Sequence, residues 1–221
     1  MPIASTPFEV VAIAASYGGI EAIKVIASTL PPHFPVPIVF LLHVGDSFSL
    51  HLPLTIGRES RLPVKWAEDK EQMVSGRIYV APPGAHLVID EAKRFSLVQT
   101  PRVQYSRPSA NMLFGSTAFA FKEHALAVIL TGYGSDGALG ANLIKALGGQ
   151  VIAQDQQSSM AFDMPSASIN TGCANLILPL DKIASALIVL TMVPGAAQLF
   201  AGILPNGHVT ASSRFHRLSA L

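Results

Sequence analysis

The stretch "VVAIAASYGGIEAIKVIASTL", residues 10–30, decides how the chain folds. Residues 10–15 are a continuous apolar run, as in a strand covered on both faces of a parallel sheet. The run stops at Ser-Tyr-Gly-Gly, and residues 18–30 then place Ile20, Ile23, Val25, Ile26 and Leu30 at helical spacing, ending before Pro31-Pro32. Strand, tight turn and helix in immediate succession make an α/β unit. Its corner carries a serine, which could cap the helix, hold an anion or attack a carbonyl.

The same alternation continues outward. Residues 36–42 form a second buried strand, followed by a helix over 48–58. Between 62 and 100 the pattern changes to short strand-like runs, "VKWAE", "RIYVAPP", "HLVID" and "FSLVQT", separated by turns. A helix over 109–124, a strand over 125–131 and a helix over 137–147 follow. A strand over 150–154, a short helix over 165–172, a strand over 176–180 and a helix over 182–193 complete the pattern. Alternation of this kind predicts a three-layer α/β fold, a mainly parallel sheet flanked by helices.

Composition narrows the function. The chain has 221 residues, half of them hydrophobic and 13% charged, with a formal net charge of +1. Mean hydropathy is +0.43. No basic or acidic block points to nucleic acid. One cysteine, Cys173, leaves no pair for an intrachain disulfide and no thiolate cluster for zinc. Seven histidines show no H-E-x-x-H spacing, and no G-x-G-x-x-G or phosphate-loop motif is present, so no cofactor and no metal are expected. The start of the chain lacks the basic and apolar regions of a signal peptide, which predicts a cytoplasmic protein. Residues 183–204 carry no charge over a span long enough for a bilayer, but Pro194-Gly195 interrupts them, so a buried-face helix and a separate tail are expected instead.

Open parallel sheets bind ligands at the carboxyl ends of their strands. Ser16 follows the first predicted strand, His43 the second, and Asp136 lies in "GYGSDG" after the 125–131 strand. A hydroxyl, an imidazole and a carboxylate on one edge are the parts of a nucleophile, a general base and an orienting acid. The plainer reading remains open at this point. Ser16 and Asp136 each stand just before a helix, where both residue types are preferred caps. A lone histidine is often structural.

Six segments together resemble the catalytic domain of CheB-type protein-glutamate methylesterases, whose signatures include I-G-A-S-T-G-G, Q-H-M-P, R-P-S and V-I-L-T-G-M-G-x-D-G. Here they read "IAASYGG" (13–19), "LLHVGDSF" (41–48), "AEDKEQMVSGRIYVAPPGAHLVI" (67–89), "RPSANMLF" (107–114), "AVILTGYGSDGALG" (127–140) and "DMPSASIN" (163–170). The resemblance keeps its order over residues 8–190. It implies that Ser16 is the nucleophile, His43 the base and Asp136 its orienting acid, with backbone N–H groups near Tyr17 and Tyr133 as oxyanion donors. It also implies hydrolysis of glutamate methyl esters on the cytoplasmic domain of methyl-accepting chemoreceptors, and deamidation of glutamine by the same attack. No nucleic-acid partner and no membrane insertion are expected. Ala14, Tyr17 and Tyr133 replace the family's Gly, Thr and Met, and Leu42-His43-Val44 stands for Q-H-M. The alternatives are a hydrolase of this fold acting on another ester, and a non-catalytic binding module. The expected organisation is a catalytic domain over 1–193 and a tail over 194–221. No receiver domain fits before the first strand, which predicts constitutive activity or control by a separate partner.

Overall fold

The computed structural model describes residues 8–43 and 51–196. The start of the expected 48–58 helix, the end of the "LLHVGDSF" segment and most of the expected tail lie outside these residues.

Seven strands form one parallel sheet in the order β3-β4-β2-β1-β7-β8-β9. They are β1 (Val10–Ala15), β2 (Ile38–Leu42), β3 (Val64–Trp66), β4 (Ile78–Val80), β7 (Ala125–Ile129), β8 (Gln150–Gln154) and β9 (Leu176–Leu178). Two more strands among the described residues, β5 (His86–Ile89) and β6 (Phe95–Val98), pair antiparallel in a separate hairpin. The helices are α1 (Gly19–Thr29), α2 (Leu52–Gly57), α3 (Ala110–Phe121), α4 (Ala138–Ala146), α5 (Asp163–Asn170) and α6 (Leu180–Met192). Among the described residues no helix is long and apolar enough to cross a membrane.

The strand run that reads as continuously apolar is buried on both sides, and its residues alternate between two cores. Val11, Ile13 and Ala15 join Phe40, Val128 and Ile152 under α1 and α6, with Ile23, Ile26, Ile183 and Leu187. Val10, Ala12 and Ala14 join Leu41, Ala127 and Ile129 under α3 and α4, with Leu113, Phe114, Ala141 and Ile144. On this second face the small strand residues Val10, Ala12 and Ala14 share a core with the large Phe114 and Leu113, a pairing of small with large that lets helix and sheet approach closely.

Most expected elements lie within a few residues of where the pattern puts them. β2 starts at Ile38 rather than 36 because Pro35 and Pro37 bracket its entry and proline cannot donate to a ladder. The last strand stops at Leu178, and Pro179-Leu180 opens α6.

The topology sets the position of the site. β1 pairs with β2 on one side and β7 on the other, and the chain builds outward from it in both directions. The switch point of the sheet therefore lies at β1, and the carboxyl ends of β1, β2 and β7 flank the crevice there.

Candidate active site

Register delivers two of the expected residues side by side. Ala15 stands opposite Leu42, and His43 N–H donates to Ala15 C=O at 2.9 Å, so Ser16 and His43 leave the sheet on neighbouring strands. On the other flank Ser16 N–H donates to Thr131 C=O at 3.0 Å, extending the β1–β7 ladder past the end of both strands.

The turn after Ser16 is tight for steric reasons. Gly18 has φ 80°, and a Cβ there would lie 2.7 Å from Met160 Sδ. A Cβ on Gly19 would lie 2.5 Å from Ala15 Cβ, and one on Gly132 would lie 2.6 Å from Ser16 Cβ and 2.4 Å from Met164 Sδ. The two loops close on the serine only because these positions are glycine. Thr131 locks them together. Its hydroxyl accepts from Ala161 N–H at 2.9 Å and lies 3.0 Å from Tyr17 C=O, while its own N–H donates to buried Gln154 Oε1 at 2.9 Å.

Neither serine nor aspartate caps the helix that follows it. The residue capping α1 is Gly18 and that capping α4 is Gly137. Among the described residues Ser16 Oγ has no hydrogen-bond partner, so the hydroxyl is uncommitted. Asp136, 4% exposed, is instead fully engaged. Its Oδ2 accepts from His43 Nε2 at 2.8 Å and from Ala110 N–H at 2.8 Å; its Oδ1 accepts from Ser109 Oγ at 2.8 Å and from Asn111 N–H at 2.9 Å. The carboxylate thus caps α3, a helix that begins 26 positions earlier in the chain, and sits at the positive end of its dipole. Asn111 returns the favour: its Oδ1 accepts from Gly137 N–H at 3.0 Å and Gly140 N–H at 2.9 Å, capping α4. The two helices cap each other across the site.

Burial pushes the Asp136 carboxyl up, but the hydrogen bonds from His43, Asn111 and Ser109 and the histidine charge outweigh it and hold it below the ordinary carboxylate range. An ionised carboxylate only accepts, so His43 carries its proton on Nε2 toward Asp136. Nδ1 is left as the basic nitrogen of the ring. Serine protease triads use the two nitrogens the other way round.

Tyr17, next to Ser16, and Tyr133, in the loop before Asp136, are 52% and 61% exposed, with ring centroids 5.3 Å apart and planes tilted by 35°. Their backbone N–H groups make no hydrogen bond among the described residues, while Ser16 N–H is already used. Cys173 is no competing nucleophile, since burial pushes its thiol up and Sγ donates to Ser168 C=O at 3.2 Å. Among the described residues no cluster of three histidine, cysteine or acidic side chains could hold a metal.

Residues 11–187 match the family model described as CheB methylesterase. The chain belongs to the CheB methylesterase family. It is 39% identical over 182 residues to the protein-glutamate methylesterase FrzG of Myxococcus xanthus, covering 82% of this chain and 54% of that one. It is 40% identical to a protein-glutamate methylesterase/protein-glutamine glutaminase of Anaeromyxobacter dehalogenans, covering 86% of this chain and 55% of that protein. The chain therefore spans about half the length of these curated relatives. A putative enzyme of the same name from Leptospira interrogans is 38% identical and is covered over 94% of its length. The crystal structure of the Thermotoga maritima CheB methylesterase catalytic domain superposes with a TM-score of 0.80 at 36% identity, covering 83% of this chain and 99% of that one.

Sequence reasoning missed His86, Ser109, Asn111 and Thr131, whose hydrogen bonds support the candidate site. The available signals were a histidine beginning an apolar strand and the polar residues of "RPSAN" ahead of a hydrophobic helix.

Proposed function

We propose that this chain hydrolyses γ-methyl esters of glutamate side chains on the cytoplasmic domain of methyl-accepting chemoreceptors, releasing methanol, and deamidates glutamine there by the same attack. The observation that carries the reading is that Ser16 and His43 leave the sheet at neighbouring strand ends, with no partner for the Ser16 hydroxyl among the described residues and with His43 Nε2 bound to the buried, ionised Asp136.

The chemistry follows from that geometry. His43 Nδ1 takes the Ser16 proton as Oγ attacks the ester carbonyl. The negative charge on the carbonyl oxygen is met by the unpaired N–H groups of Tyr17 and Tyr133, preorganised by the glycine turns beside them. The imidazolium is stabilised by Asp136, then gives its proton to the departing methoxide. Methanol leaves and an acyl-serine remains. Water enters, loses a proton to Nδ1 and attacks the acyl carbon; Ser16 is reprotonated and the glutamate carboxylate is released. An amide substrate follows the same path with ammonia as the leaving group.

The test is to methylate a receptor fragment with a labelled methyl group and follow volatile methanol. Wild-type protein is expected to release it and Ser16→Ala to release none. Equal release by both proteins refutes the serine mechanism, and no release by either refutes the substrate.

A further inference from the structure

We propose that Ser109 is a positioning residue of the esterase: its hydroxyl holds Asp136 in the orientation that fixes the tautomer of His43. This rests on the triad reading above and extends it to a fourth residue that never meets the substrate.

Ser109 occupies the residue before α3, where a serine ordinarily accepts a hydrogen bond from the first-turn amides. It does not do so here. The first-turn N–H groups of Ala110 and Asn111 go to Asp136, and the Ser109 hydroxyl donates to the same carboxylate at 2.8 Å. Asp136 has taken over the cap, and Ser109 has become a donor to it. Losing this hydroxyl therefore removes no cap; it removes one of four donors from a buried anion. With two donors on each oxygen, the carboxylate has one orientation in which all are satisfied, and in that orientation Oδ2 faces His43 Nε2.

Ser109 is itself held. It is fully buried, and its N–H donates to Nδ1 of His86, also fully buried, at 3.2 Å. The other ring nitrogen of His86 donates to Pro101 C=O at 3.0 Å, so the ring has one tautomer compatible with both contacts. A chain of hydrogen bonds thus runs from the carbonyl of exposed Pro101 through buried His86, Ser109 and Asp136 to half-buried His43. It accounts for two sequence segments, "APPGAH" and "RPSAN", that contribute nothing to the triad itself.

The experiment uses the intact chain with Ser109→Ala, and Ser109→Cys as a near-isosteric variant with a weaker donor. The readouts are the rate at which a fluorophosphonate labels Ser16 and the histidine tautomer seen by ¹⁵N NMR. Ser109→Ala should melt cooperatively, label about 10- to 100-fold more slowly, as expected for loss of one charge-assisted hydrogen bond, and show His43 as a mixture of tautomers. Ser109→Cys should fall between it and wild type, and carries the test alone if the alanine variant does not fold. A folded variant of either kind with the wild-type labelling rate and a single Nε2-protonated tautomer overturns the proposal. Ser16→Ala is run alongside. If that variant still takes up label at the wild-type rate, the triad reading has failed; if it does not, the result for Ser109 stands on its own.

Discussion

Replacing Asp136 by asparagine perturbs the site at its most heavily used group. The carboxylate receives four donors, and an amide has only one oxygen to offer them. With the amide oxygen at the Oδ1 position it still accepts from Ser109 Oγ and Asn111 N–H, but its NH₂ then points at Ala110 N–H and at His43 Nε2. The Ala110 amide loses its partner, and His43 must move its proton to Nδ1 to accept at Nε2. With the amide reversed, Asn111 N–H faces the NH₂ instead. Either arrangement leaves a buried amide unpaired, which costs about 1–3 kcal/mol, and the first loses the basic nitrogen on which the proposed attack by Ser16 depends. The equivalent change in a Ser-His-Asp protease costs about 10⁴ in turnover through the same tautomer error. A variant that remains folded at 25 °C is therefore expected, with labelled-methanol release down by about 10³–10⁴. The assay pairs chemical denaturation with methanol release on the same preparation. Turnover within about tenfold of wild type, with the fold intact, refutes the reasoning, because it means that His43 does not depend on Asp136.

Further outcomes follow from the same contacts. Since folding holds the Asp136 carboxyl below its ordinary range, the unfolded chain binds that proton more readily; the stability it contributes is complete above the unfolded value of about 3.9 and is lost as pH falls through the folded one. The stability gap between wild type and Asp136→Asn, measured by urea unfolding, should accordingly narrow as pH falls below about 5. Gly132→Ala places a Cβ 2.4 Å from Met164 Sδ and 2.6 Å from Ser16 Cβ, so it should destabilise by about 1–3 kcal/mol in a thermal melt and abolish serine labelling. Phe114→Ala removes a fully buried ring packed against α4 and should cost about 3–5 kcal/mol by the same melt.

The layers, and the sheet edge on which the candidate residues stand, were legible because they rest on local patterns. A strand buried on both faces is apolar along most of its length, and β1 and β8 have the bounds that their apolar stretches predict. Ser16, His43 and Asp136 each follow a strand, so parallel topology alone is enough to bring them to one edge. Their individual surroundings were not legible. The capping alternative for Asp136 named the right chemistry and the wrong helix, since the amides it accepts come from α3, about 25 residues upstream. The tautomer of His43, the mutual caps of Asp136 and Asn111 and the His86–Ser109 contact depend on pairs distant in sequence. No periodicity encodes such pairs. The hairpin of β5 and β6 was visible as two strands, but its separation from the main sheet depends on tertiary placement.

The central claim is that Ser16 is an activated nucleophile, and mapping a covalent adduct tests it most directly. The intact protein is treated with a fluorophosphonate, digested and sequenced by mass spectrometry, with a urea-unfolded sample in parallel. A single adduct on Ser16, absent after unfolding and absent in His43→Ala, is the predicted result. No adduct on the folded protein, or an adduct on a different serine with Ser16 unmodified, would contradict the account.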